Sequence, residues 1–122
     1  MSLREIADSI PCLGKGGKTI SSELIKYASE VPEGACIIEV GPFLGSGTSY
    51  LAIGHRKSIH RPVIYAIDPW IAAEHYVKAA KKHLGLSFKP NEDLMPHFVK
   101  NLLPFHAKIK KIRADFLSLP IS

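Results

Sequence analysis

The chain has 122 residues, 46% of them apolar, and a formal charge of +5, which suits one compact domain with a modest core. It holds no apolar run of the roughly 18 residues that a membrane span needs, and Met1 to Ile10 carries Arg4, Glu5 and Asp8, unlike a signal peptide. No membrane partner is therefore expected.

Taken along the chain, Leu3 to Ile10 reads as a short helix stopped by Pro11. Gly14-Lys15-Gly16-Gly17-Lys18-Thr19 imitates a phosphate loop, but Cys12 stands where the first glycine belongs and no strand precedes it. It reads as a mobile basic loop ending in a helix cap, so residues 1–18 are an N-terminal helix and basic glycine-rich loop ahead of the main body over 19–122, in a single domain overall. Thr19 or Ser21 can cap a second helix with Leu24, Ile25, Ala28 and Val31 on one face, ended by Pro32-Glu33-Gly34. Ala35 to Val40 is apolar on both alternating faces except for Glu39, the pattern of a central parallel strand covered on both sides. A glycine-rich turn follows, then a helix from about Ser46 to Lys57. Pro62 to Ile67 is a second strand, ending at Asp68-Pro69-Trp70. Ile71 to Leu84 is helical with Gly85 as its stop, and Asp93 can cap a further helix that carries Pro96 in its first turn. Ala107 to Arg113 is a third strand, followed by Asp115-Phe116.

Strands alternating with helices at this spacing give right-handed crossovers and an α/β fold with a parallel sheet in the order 3-2-1. Lys108, Lys110, Lys111 and Arg113 make the third strand a well-protected edge. The first strand has no such protection. In a three-stranded sheet it would be the other edge and expose Cys36, Ile37, Ile38 and Val40. The chain thus reads as half of a larger sheet, and a homo-oligomer through that edge is expected.

Gly41, Gly45 and Gly47 let the backbone turn sharply after the first strand, and the next helix aims its N-terminal N–H groups at whatever binds there. A phosphate-binding loop would need Lys before Thr48, where Gly47 stands. A dinucleotide fingerprint would need glycine where Phe43 stands. An acid at the strand end, a glycine loop and a helix start remain, and together they point to another nucleotide-like cofactor. Cys12 and Cys36, one in a loop and one in a strand, suit neither a disulfide framework nor a zinc site, and a reducing cytoplasmic setting follows. The histidines show no metal spacing.

In this order and at these intervals, four segments carry a family resemblance. They are Ile38-Glu39-Val40-Gly41-Pro42-Phe43-Leu44-Gly45, Tyr65-Ala66-Ile67-Asp68-Pro69-Trp70, Phe98 with Asn101-Leu102, and Ile112-Arg113-Ala114-Asp115. From about Thr19 onward the chain resembles the N-terminal half of a class I S-adenosylmethionine (SAM)-dependent methyltransferase. Within that superfamily it is most similar to small-molecule O-methyltransferases. The resemblance implies a Rossmann-like, truncated three-stranded core flanked by helices, with SAM as cofactor and a small-molecule methyl acceptor. It further implies that Gly41, Gly45 and the backbone through Pro42 and Phe43 lie against the methionine part. Glu39 would hold the loop and meet the cofactor's amino group, and Ser46 or Thr48 would supply the hydroxyl that relatives carry at position 47. Asp68 would accept from the ribose hydroxyls, Pro69 and Trp70 would shape the wall beside it, and Asp115 with Phe116 would border the adenine.

Each residue also has a plainer reading. Glu39 can cap backbone N–H groups, Asp68 and Asp115 can be turn residues, and Trp70 can be core. In the resembled family the base or metal that readies the acceptor lies mostly after the fourth strand and in later loops, so no catalytic residue and no metal ligand is assigned. Two other function classes stand beside the methyltransferase: a nicotinamide-binding fragment, and a non-catalytic oligomeric module. The basic clusters read as solvated surface, with nucleic acid a less favoured partner because no aromatic residues interleave with them.

Overall fold

A computed structural model describes residues 1–14 and 16–115; the expectations placed on Lys15 and Phe116 lie outside the described residues. The elements are α1 (Leu3–Ser9), α2 (Gly16–Thr19), α3 (Ser21–Ser29), β1 (Ile37–Val40), α4 (Ser46–Lys57), β2 (Ile64–Asp68), α5 (Glu74–Leu84), α6 (Met95–Leu102), a 3-10 turn (Leu103–Phe105) and β3 (Ile109–Arg113). This is an α/β arrangement around a three-stranded parallel sheet in the order β1-β2-β3, the expected 3-2-1 order read from the other side.

Local chemistry explains most element ends. Ser2 and Glu5 form a reciprocal capping box on α1, each side chain accepting from the other's backbone N–H at 3.1 Å. Gly85, at φ 65°, ends α5 in the left-handed conformation expected of it. Pro96 sits in the first turn of α6, where its missing N–H costs nothing, but Leu94 and not Asp93 is the cap residue and α6 has no side-chain cap bond. Asp93 lies one residue earlier, where it accepts from the Met95 N–H at 3.0 Å. Two further expectations fail. The Gly14–Thr19 stretch contains a short helix, α2, and α3 begins at Ser21 with Ile20 as its cap and no side-chain bond, so neither Thr19 nor Ser21 caps it. Ser21 is drawn off by Arg4, whose guanidinium donates to its hydroxyl at 2.6 Å. The helix expected from Ile71 begins only at Glu74, because Ile71 forms an antiparallel bridge with Asp93.

The N-terminal segment joins the same core as the rest. Ala7 and Ile10 are buried in it, and the Tyr50 hydroxyl on α4 donates to Asp8 at 2.7 Å. Trp70, Tyr50, Phe98, Phe105, Ile64 and Leu94 fill the centre, with the Trp70 and Phe98 rings 5.0 Å apart and tilted.

The strand register pairs Ile37 with Ile64 and Ile64 with Ile109, and the alternation then fixes two faces. Ile37, Glu39, Ile64 and Ala66 face α4, to which Glu39 is bonded through Thr48. Ile38, Val40, Tyr65 and Lys110 face the other way, where the Lys110 ammonium lies 5.8 Å from the Tyr65 ring centre. Ile38 is 61% exposed and Val40 52%. Among the described residues β1 is therefore an edge strand with one open face, in place of the central strand covered on both sides that its composition predicts. The expectation that a three-stranded sheet would bare Ile38, Val40 and Cys36 is met; Ile37 instead packs against the core.

Candidate functional site

The parallel strands end together, and the loops leaving β1 and β2 form a cleft over their carboxyl ends, where ligands of such sheets bind. Val40 leads into Gly41 (φ 73°), Pro42, Phe43 (φ 53°), Leu44 and Gly45 (φ 100°), and α4 starts at Ser46. The Gly45 N–H donates to the Pro42 carbonyl at 2.8 Å and closes the turn. Gly45 is required here twice over. Its backbone is left-handed, and a Cβ would lie 2.1 Å from the Leu102 side chain on α6.

Phe43 and Trp70 (φ 50°) both adopt a conformation that costs an L-residue about 1–2 kcal/mol. One carboxylate holds both. Asp68 accepts from the Phe43 N–H at 3.1 Å through Oδ2 and from the Trp70 N–H at 2.7 Å through Oδ1. The Trp70 indole N–H donates to the Phe43 carbonyl at 3.0 Å, so the two loops are laced through Asp68 and Trp70. Arg113 adds a third loop tie, donating to the Pro69 carbonyl and to Asp93, each at 2.9 Å.

Two adjoining cavities share Gly41 and Tyr76. The larger, of about 440 Å³, has Glu39, Ser46 and Gly47 on one side together with Pro42 and Phe43. Its far wall is Pro11, Cys12, Leu13, Ile20 and Leu24 from the N-terminal segment and α3. The second, of about 320 Å³, is lined by Asp68, Pro69, Ile71, Ala114 and Asp115, with Val40 and Ile67 beneath. The Tyr76 ring stacks on Phe43 at 5.7 Å between them.

Glu39 is the unusual group. Burial pushes its carboxyl up to about 7; the hydrogen bond donated by the Thr48 hydroxyl pulls the other way, and the Asp68 charge adds to the rise. A Cβ at position 47 would lie 2.5 Å from Glu39 Oε2, so Gly47 is what leaves room for this carboxyl. The Ser46 hydroxyl is buried at the same cavity and has no hydrogen-bond partner among the described residues. The first N–H groups of α4, which have no acceptor inside the helix, lie at the same place.

The expected site residues thus divide. Glu39, Gly41, Pro42, Phe43 and Ser46 line the larger cavity, and Asp68 and Asp115 the smaller one. Gly45, Thr48 and Trp70 line neither. Gly45 packs on α6, Thr48 is fully buried behind Glu39, and Trp70 is 0% exposed, so these three act from behind by holding the loop. Sequence reasoning missed Tyr76 and the Pro11–Leu13 wall. Tyr76 sits on the exposed side of an amphipathic helix, and nothing in the sequence marks the fold that brings residues 11–13 to the glycine loop. Among the described residues no group of three or more His, Cys, Asp and Glu side chains could hold a metal ion, and no helix is long and apolar enough to cross a membrane. No protein-family model and no curated protein matches the chain.

Proposed function

We propose that the cleft is a SAM site on a Rossmann-like half-domain and that the chain is the cofactor-binding part of a methyltransferase for a small-molecule acceptor. The observation that carries this is the pair of cavities meeting at Gly41 and Tyr76, with chemically different ends in the order the cofactor would need. At the first end an acid, a buried hydroxyl with no partner among the described residues and a helix N-terminus suit an ammonium and a carboxylate on one carbon. At the second end Asp68 uses one acceptor position on each oxygen for the loops, and a carboxylate has about four. The remaining ones suit the vicinal hydroxyls of a ribose. When bound, SAM supplies an electrophilic methyl group. The residues of this chain orient it and exclude water behind it, and none of them is placed as a base for the acceptor.

Cys12 lines the larger cavity while Cys36 is exposed elsewhere, and this gives an internal control. S-adenosylhomocysteine should slow alkylation of Cys12, read by mass spectrometry, and leave Cys36 unchanged, whereas NAD should protect neither. Equal protection of both thiols, or of neither, would contradict the reading.

One observation favours a second reading, the oligomeric module: the open β1 edge with Ile38 and Val40 bare. Self-association through that edge is compatible with an occupied cleft.

A further inference from the structure

The charges of this chain are segregated. Residues 51–67 and 94–114 contain eight of the sixteen Lys and Arg and none of the eleven Asp and Glu. The fold brings the two segments together. Because the strands are parallel, the end of α4, the loop into β2 and the loop into β3 all lie at the amino end of the sheet, opposite the cleft. Arg56 donates to the Phe105 carbonyl at 3.2 Å, and the Ile64 N–H donates to the Lys108 carbonyl at 2.8 Å, which ties these loops to one another. Arg56, Lys57, His60, Arg61, His106 and Lys108 are all exposed there, and none takes part in an ion pair among the described residues. Three of these cations act together on one buried group. Burial first, then the charges of Arg61, Lys108 and Arg56, holds His55 below the usual imidazole range. Glu30 and Glu33, in the segment that leads into β1, bound the patch on that side.

Two aliphatic side chains stand among these cations with no cover. Ile59, between Lys57 and His60, is 90% exposed, and Leu103, three residues before His106, is 68% exposed. Nucleic acid would satisfy the charges but leaves the aliphatics unexplained. Phe98 and Phe105 are buried and Tyr65 is half-buried beside Lys110, so among the described residues no stacking platform is offered there. An anionic membrane surface accounts for both, since cations meet the headgroups and short aliphatics enter the headgroup boundary. We propose that the amino end of the sheet, through Arg56, Lys57, Arg61 and Lys108 with Ile59 and Leu103, docks on anionic lipid. The lack of a spanning helix bears on crossing a bilayer and not on lying against one.

Co-sedimentation of the whole chain with vesicles tests this. It should bind phosphatidylcholine vesicles that contain phosphatidylserine, fail to bind pure phosphatidylcholine, and be released by high salt. Charge reversal at two exposed sites, Arg61→Glu with Lys108→Glu, should weaken partitioning by at least about 30-fold, since each cation near such a surface contributes roughly 1 kcal/mol. Ile59→Ser with Leu103→Ser should weaken it as well, with the melting transition of each variant confirming the fold. Equal binding to both vesicle types, or to neither, overturns the proposal. So does tighter binding to poly(U) RNA that survives Ile59→Ser with Leu103→Ser.

Discussion

Glu39 is where one residue does most to set the behaviour of the cleft. Its carboxyl is raised from 4.5 to about 7, so the folded state keeps a proton that the unfolded chain releases. The sign is the reverse of a salt-bridged acid, and stability should fall as pH rises from about 4.5 to about 7. His55, buried and held low, works the other way, because the unfolded chain binds a proton near its ordinary pKa that the folded one refuses. The comparison must therefore be with Glu39→Gln. The unfolding free energy of the natural protein, relative to that variant, should decline across the window, as read from denaturant titrations at several pH values. A flat difference would mean that Glu39 titrates as an ordinary surface acid. An acid at a strand end was visible in the sequence, and so was its neighbourhood. That Thr48 bonds to it while Ser46 finds no partner among the described residues was not, because both hydroxyls lie in the first turn of one helix and only the packed geometry separates them.

At the scale of elements, β1 carries the sharpest consequence. Ile37 and Gly41 donate to Val63 and Ile67 of the β2 side, so the backbone groups of Ile38 and Val40, one residue out of phase, point to the open edge. The exposed side chains along this edge, Cys36, Ile38 and Val40, carry no charge that would discourage pairing, whereas β3 is guarded by Lys108, Lys110 and Lys111. Antiparallel pairing with a second copy would place Ile38 opposite its own equivalent on a two-fold axis and extend the sheet across the interface. The expected result is a dimer by sedimentation that Ile38→Lys converts to monomer, since two lysines then meet at the axis. A folded monomer in the natural protein at the same concentration would rule this pairing out. The strands, α4 and the stop at Gly85 were legible from periodicity and glycine placement. The burial of β1 was not, because an apolar run reads alike in a central strand and in a bare edge. The start of α3 also escaped, as the hydroxyl that could have capped it is used by Arg4 from α1, a contact seventeen residues away.

The whole molecule has two opposed ends. Acids, loop glycines and a helix N-terminus gather at the carboxyl end of the sheet, and cations without an ion-pair partner among the described residues gather with bare aliphatics at the amino end. Between them runs a core that laces the cleft from behind through Asp68 and Trp70. Order along the chain was enough to place Glu39, Gly41 and Asp68 around one cleft. The far wall of residues 11–13 and the stacking of Tyr76 on Phe43 depend on tertiary contacts that no local pattern encodes. Calorimetric titration with S-adenosylhomocysteine, with NAD as control, tests the central claim most directly. Selective binding of S-adenosylhomocysteine is predicted, weakened at least about tenfold in Asp68→Ala because the charged hydrogen bonds of that carboxylate are lost. The near-ultraviolet signal of Trp70, the single tryptophan, reports whether the loops are intact. Binding of neither compound to a chain with that signal present, or equal binding of both, would contradict the account.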